Sequence, residues 1–263
     1  MSPASGYREF VERFVSAMSE PLPEPRRWAD TVAKGKGPGL AIIVAPHPDD
    51  EVVMGGLPFR WQREEGWTVR VVTVTLGSKE ARREEREAEL RRACDLLGWE
   101  LEVLGWRGVD RDGQRPDPDR VSVLRERLRP ADAVFFPHEQ DGHPAHVGVN
   151  RLVRAALEGV ERVPRIFLTE FWQPMQQPNL LVEVAPDDVA CLVEALACHA
   201  GEVSRNPYHR RLPAWMMDNV RRGAEQVGGA GSEAPDFPFG LVYRMEPEPE
   251  QRVLRVGRSL RIG

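Results

Sequence analysis

The stretch LAIIVAPHPDDEVVMGG, residues 40–56, decides the fold class. Its opening residues are apolar without alternation, the pattern of a strand buried on both faces. The polar run Pro46-His47-Pro48-Asp49-Asp50-Glu51 follows, and apolar positions at helical spacing then predict a helix from about Val52 to Glu65. A buried strand running through a charged turn into a helix is the start of a βαβ unit.

The same alternation continues downstream. VRVVTVTL, LEVLGW and AVFF read as strands, and helices are expected over about 80–97, 120–128 and 144–157. RIFLTEF and NLLVEV extend the sheet, and a helix over 187–201 covers it. The expected architecture is α/β, a Rossmann-like three-layer α/β/α sandwich with a mostly parallel sheet. Residues 204–240, which include the Gly/Pro-rich GGAGSEAPDFPFG, read as loop. Upstream, Phe10, Phe14, Val15 and Met18 share one face of a helix over about 6–19 that is expected to pack on the body. A Pro/Gly-rich connector follows, so the expected division is an extension and connector at 1–38 and a single domain at 39–263.

Composition narrows the function classes. The 263 residues carry 36 Lys plus Arg against 41 Asp plus Glu, a net charge of −5, so no global basic field recruits nucleic acid. The 41% hydrophobic content is that of a globular chain. Apolar runs are too short to cross a bilayer, and the first residues lack a signal peptide's apolar segment, so neither membrane insertion nor export is expected. Three cysteines without a CxxC spacing read as reduced thiols of a cytoplasmic protein.

Open α/β sheets bind ligands beyond the carboxyl ends of their strands, which directs attention to two turns. In the first, adjacent carboxylates of HPDDE repel one another unless a cation shares the site, whereas a helix cap needs one acid. The second, Pro137-His138-Glu139-Gln140-Asp141-Gly142-His143-Pro144-Ala145-His146, holds three of the chain's six histidines in nine residues. Pro144 suits the first position of a helix, making His143 its N-cap, and the i, i+3 spacing turns His143 and His146 to one side. His47, Asp50 and His146 together offer two imidazoles and a carboxylate, a set that fits Zn2+ with an open position and also Fe2+ or another divalent metal. Asp49 is left over as a base.

These paired motifs, PHPDDE and Asp141-Gly142-His143-Pro144-x-His146, resemble the PIG-L/LmbE-like N-acetylglucosaminyl deacetylases, and the likeness runs from about Leu40 to at least His199. The resemblance implies a metal-dependent hydrolase that removes acetyl groups from N-acetylglucosamine-type sugars. His47, Asp50 and His146 would hold the metal, Asp49 would be the general base, and His143 would stabilise the oxyanion and protonate the leaving amine. It further implies that Arg86 contacts sugar hydroxyls or a substrate phosphate, against a competing reading of Arg86 as part of a solvated charged helix face. Asp110 would hold a sugar hydroxyl, with Asp112 as an equally placed rival. Where the family often has aspartate after the proline this chain has Ala145, so Asp141 or Glu139 would have to orient His143. His199 lies in a stretch resembling the family near its site, or else ends a solvated helix. Trp106 and Trp172 are candidate sugar platforms or core filler. The partner implied is a small amino-sugar substrate, and relatives assemble as trimers or hexamers. Rival readings are an amidase for a larger acyl- or thiol-sugar conjugate, a sugar-binding relative without turnover, and a phosphatase, which would often need two metals.

Overall fold

The computed structural model describes residues 3–25, 37–109 and 115–258. Among them, eight strands form one sheet: β1 (Leu40–Ala45), β2 (Thr68–Thr73), β3 (Glu100–Val103), β4 (Ala133–Pro137), β5 (Arg165–Thr169), β6 (Leu180–Glu183), β7 (Gly240–Glu246) and β8 (Val253–Leu254). The order is β3-β2-β1-β4-β5-β7-β6-β8. From β3 to β5 every pairing is parallel, and β7 inserts antiparallel between β5 and β6. The mostly parallel α/β sandwich is therefore present.

The lack of alternation in β1 has a direct cause. Ala41, Ile43 and Ala45 enter the core beneath α2 (Asp50–Met54), α3 (Gly56–Glu65) and α4 (Arg83–Leu97), while Ile42 and Val44 enter the core beneath α5 (Pro118–Leu128) and α6 (Pro144–Leu157). Both faces of the strand are dry. The helix expected over 52–65 is broken at Gly55, where a Cβ would lie 2.4 Å from the Trp99 ring and 2.7 Å from the Glu51 carbonyl oxygen. The helix expected over 187–201 is likewise divided, into α7 (Pro186–Ala197) and α8 (Ala200–Arg205).

The region read as loop is the largest departure. Residues Tyr208–Gly228 form the 21-residue helix α9, and β7 follows. The buried stripe of α9 mixes Leu212, Met216, Val220 and Val227 with His209, Asn219, Gly223 and Ala224. Its periodicity is diluted by polar and small residues, and Pro213 reads as a breaker. Gly223 is small because Val242 and Leu181 pack 3.0–3.1 Å from where its Cβ would stand.

The first helix, α1 (Pro3–Ser19), does not bury its apolar face as expected: Tyr7, Phe10, Val11, Phe14 and Val15 are all exposed. Arg210 of α9 ties it down by donating to the Ala17 carbonyl at 3.1 Å. No helix among the described residues is long and apolar enough to cross a membrane.

Candidate metal centre and active site

Strands β1 and β4 are neighbours, and the chain leaves them toward opposite sides of the sheet, β1 toward β2 and β4 toward β5. This is the topological switch point, where a crevice opens beyond the strand ends. Both histidine-bearing turns meet there around a pocket of about 640 Å3.

The Asp50 Oδ2 atom is the hub. It accepts the His47 backbone N–H at 2.8 Å and lies 3.2 Å from both His47 Nδ1 and His146 Nε2. Ligands on a tetrahedral metal with bonds of about 2.0 Å stand about 3.3 Å apart, so these spacings are those of a coordination edge. His146 is fully buried, and neither of its ring nitrogens makes a well-aligned hydrogen bond, although Asp141 Oδ1 stands 3.4 Å from Nδ1. A buried imidazole with carboxylates at both nitrogens, one in the cluster and one behind it, has the donor chemistry of a metal ligand backed by an orienting acid. Burial opposes protonation of His146, but Asp50 and Asp141 outweigh it and push its pKa up to about 10. Burial likewise raises Asp50, and the charges and hydrogen bonds of His146 and His47 override it, holding the carboxyl well below its usual range. His143 adds a third imidazole, and ligand atoms of His47, His143 and His146 lie within 4.8 Å of one another.

Asp49 stands apart from this hub. It occupies the N-cap position of α2 yet makes no capping hydrogen bond, and its backbone has φ 103°. That region is costly for a residue with a Cβ and persists where neighbours enforce it. Glu51 does so by accepting the Asp49 N–H on Oε2 at 2.8 Å, and its other oxygen meets His199 Nε2 at 2.8 Å. Glu51 and His199 are both fully buried, so His199 is not the solvated helix end the sequence allowed. The freed Asp49 carboxyl is pushed up to about 7, by burial first and then by the charge of Asp50.

Sequence reasoning missed Tyr208, whose hydroxyl donates to Asp49 Oδ2 at 2.5 Å. It opens α9, whose sequence reads as loop, and the available signal is its place in the NPYH end of the stretch containing His199. Arg86 also reaches this corner and is not on a solvated face. It donates to the carbonyls of Pro48 at 3.1 Å and Leu76 at 3.4 Å, and stands 4.0 Å from Asp49. Gly77 permits this approach, since a Cβ there would lie 2.2 Å from Arg86 Nη1.

His143 caps α6, its Nδ1 accepting the Ala145 N–H at 3.3 Å. The neutral ring therefore carries its proton on Nε2. Burial, then repulsion from His47 and His146, lowers its pKa. Neither acid proposed to replace the missing aspartate orients this ring. Asp141 accepts the backbone N–H groups of His143 and Trp172 and backs His146, and Glu139 pairs with Arg244. The helix terminus does that work. Trp172 stacks on His143 at 6.0 Å and 26°, and Trp106 also lines the pocket, with Arg120 over its ring. Asp110 and its rival Asp112 lie outside the described residues.

The α/β sandwich gathers histidines and paired aspartates at its switch point, a donor set that could hold a metal ion. Residues 42–157 match the family described as "PIG-L: GlcNAc-PI de-N-acetylase". A curated relative, the probable N-acetyl-alpha-D-glucosaminyl L-malate deacetylase 2 of Bacillus cereus, is 27% identical over 47% of this chain; the aligned part spans 62% of that protein's length. Among solved structures, N,N'-diacetylchitobiose deacetylase from Pyrococcus horikoshii matches with TM-score 0.60 and 18% identity, covering 92% of this chain and 93% of its own. GalB, the 4-carboxy-2-hydroxymuconate hydratase of Pseudomonas putida KT2440, matches with TM-score 0.62 and 19% identity over 80% and 96%. The two structural likenesses establish the fold, which carries more than one chemistry.

Proposed function

We propose that this protein is a metal-dependent N-deacetylase acting on an N-acetylglucosamine-type sugar conjugate. The observation that carries the reading is the Asp50 oxygen shared at 3.2 Å by His47 and His146, with the Asp49 carboxyl, which caps no helix, beside it. His47, Asp50 and His146 would hold the metal, for which zinc is the first choice and iron(II) the second. A divalent ion in that set lowers the pKa of the water it binds and polarises the amide carbonyl.

The chain's own groups supply the proton transfers. Asp49 sits at about 7, matched to taking a proton from water near neutrality. Tyr208 holds one Asp49 oxygen, and Glu51 holds its backbone, so the remaining oxygen is aimed without rotational search. His143, with its proton on Nε2 by virtue of the Ala145 contact, is placed to stabilise the developing oxyanion by donating a hydrogen bond, and the proton that Asp49 takes from water replaces any proton His143 passes to the leaving amine, so the ring ends neutral. Arg86, beside Asp49, is the proposed contact for a sugar hydroxyl or phosphate. Asp110 keeps the role its resemblance implies, as a hydroxyl ligand.

The volume of about 640 Å3 favours a conjugate over a free monosaccharide, since it falls in the range that encloses drug-sized ligands. An amidase for a larger acyl- or thiol-sugar conjugate is the second reading on the same ground. The division into an extension at 1–38 and one functional domain at 39–263, a cytoplasmic setting for the free buried cysteines, and a homotrimer or homohexamer belong to the proposal.

The test is primary-amine release from a panel of N-acetylglucosamine derivatives, with zinc- or iron(II)-loaded protein, chelated protein and an Asp49→Asn variant. Release that requires metal and falls by about 10²–10⁴-fold in the variant is expected for loss of a general base. Metal-loaded protein that releases no amine from any sugar would overturn the reading.

A further inference from the structure

Part of the wall around the histidine rings is a segment that belongs to no helix or strand. Between β5 and β6, residues 170–176 carry Phe171, set edge-on to the His146 ring at 5.5 Å and 69°, and Trp172, stacked on His143. A segment without a ladder of its own keeps one shape only where its backbone groups find fixed partners. Three of them do. The Trp172 N–H donates to Asp141 Oδ2 at 3.1 Å, the Gln173 carbonyl accepts from His138 Nε2 at 3.0 Å, and the Met175 N–H donates to Glu170 Oε1 at 2.5 Å. The proton of His138 is placed on Nε2 because its Nδ1 accepts the Gln140 N–H at 3.2 Å.

The first two anchors come from the histidine turn after β4, and the third is braced from α9. Glu170 is 4% exposed, and both terminal nitrogens of Arg222 grip its carboxylate, Nη1 at 3.1 Å from Oε1 and Nη2 on Oε2. Asn219 and Asp218 of the same helix orient the guanidinium in turn. Such a planar fork fixes the direction of a carboxylate, which a point charge does not. Neither Glu170 nor Arg222 reaches the pocket lining, and both lie outside the stretch that matches the family. Nearly four helical turns separate Arg222 from Tyr208, so roughly one face of α9 holds Asp49 at one end and braces the wall at the other. With its cation removed, the buried Glu170 carboxylate is uncompensated, and it relieves that cost by turning toward water and dropping the Met175 N–H.

We propose that Arg222 is a positioning residue for the reaction: through Glu170 it fixes the 170–176 segment and so sets Trp172 on His143. The inference rests on the deacetylase reading for its kinetic consequence, whereas the tether itself stands on the backbone contacts of the segment.

The experiment uses zinc-loaded full-length protein and initial rates of amine release from methyl 2-acetamido-2-deoxy-α-D-glucopyranoside, at a temperature where the melting profile shows each variant folded. Arg222→Met is expected to lower kcat/KM about two- to tenfold, the size of a lost aromatic contact, and through the same parameter, kcat or KM, that Trp172→Ala alters. Residues that act through one contact are not additive, so in Trp172→Ala protein the same substitution is expected to change kcat/KM by less than about twofold. Arg222→Lys keeps the charge without the fork and recovers part of the loss. Equal losses in the two backgrounds, or no loss in folded Arg222→Met protein, overturn the proposal. If Arg222→Met does not fold, Glu170→Ala is read by the same rule, since it removes the brace and leaves Arg222 with Asp218 and Asn219. Hydrogen exchange at the amides of 170–176 needs no turnover. Faster exchange in Arg222→Met, partly reversed in Arg222→Lys, is expected, and unchanged exchange overturns the tether. Wild-type protein that releases no amine overturns the deacetylase reading, and exchange still decides whether Arg222 holds the segment.

Discussion

The floor and the mouth of one pocket hold charge in opposite ways. At the floor, Asp49, Asp50, Glu51, His146 and His199 are nearly or fully buried, and their charges are paired at defined distances, Asp50 with His146 at 3.2 Å and Glu51 with His199 at 2.8 Å. At the mouth, Lys79, Arg107, Arg205 and Arg211 are exposed, and their charges are matched incompletely. Removing one member of a buried set leaves its partner desolvated and uncompensated, whereas water and salt screen a vacancy at the surface. Floor substitutions should therefore cost much and respond little to ionic strength. Mouth substitutions should cost little and respond strongly.

The sharpest way to break that contrast is Glu51→Ala. Glu51 holds the Asp49 N–H and the His199 ring, and its loss strands a buried imidazole and releases a backbone at φ 103°. Breaking a buried pair costs about 3–5 kcal/mol, which for a chain of this size lowers the melting temperature by on the order of 10 °C. A differential scanning calorimetry shift of a degree or less would show that the floor tolerates vacancies as the mouth does. Glu51→Gln, which keeps an acceptor for one of the two donors, should recover part of the loss.

The second test bears on metal affinity. Asp141 touches no proposed substrate group, but its Oδ1 stands 3.4 Å from His146 Nδ1 on the side away from Asp50. Acids in that position orient the ring and raise its basicity, and their removal typically costs 10–100-fold in affinity. Asp141→Asn should weaken zinc binding by about that factor in a competition titration against a chromophoric chelator. Because Asp141 also accepts the His143 N–H on Oδ1 and the Trp172 N–H on Oδ2, the asparagine keeps one of these two contacts, and an unchanged melting profile is checked alongside the titration. Zinc affinity equal to wild type would mean that His146 is not a ligand or needs no orienting acid.

The same division explains what could be read from the chain without coordinates. Buried strands are apolar on both faces, so β1, β2 and β4 declare themselves, and the charged turns at their ends stand out because such residues are out of place there. His47, Asp49, Asp50, His143 and His146 stand out in that way, and the structure brings them together at one strand-end crevice. Tyr208 does not, because its role depends on α9 folding back across the sheet end. The stripe of α9 is built from Gly223, Ala224, His209 and Asn219 as much as from aliphatic residues. Arg86 was ambiguous for a related reason: in a run of alternating charge, burial of one arginine is set by the close approach that Gly77 allows and not by helical period. The exposed face of α1 shows the converse, a clear amphipathic pattern that buries nothing within the described chain.

The smallest expected effect lies where floor and mouth meet. Trp172 is 55% exposed, yet it stacks on His143, and its backbone N–H is held by Asp141. The main-chain contact survives substitution, so Trp172→Ala removes the indole face and little else. Aromatic stacking beyond simple burial is worth about 0.5–1.5 kcal/mol, a factor of roughly two to ten. If the indole carries a sugar ring, that factor appears as a higher KM with kcat nearly unchanged, and Trp172→Phe recovers much of it. If the indole instead serves to seat His143, the factor appears in kcat and KM stays put, which would move Trp172 from the mouth to the floor. Initial rates with one neutral glycoside separate the two outcomes, and that choice of probe keeps the cationic rim out of the measurement.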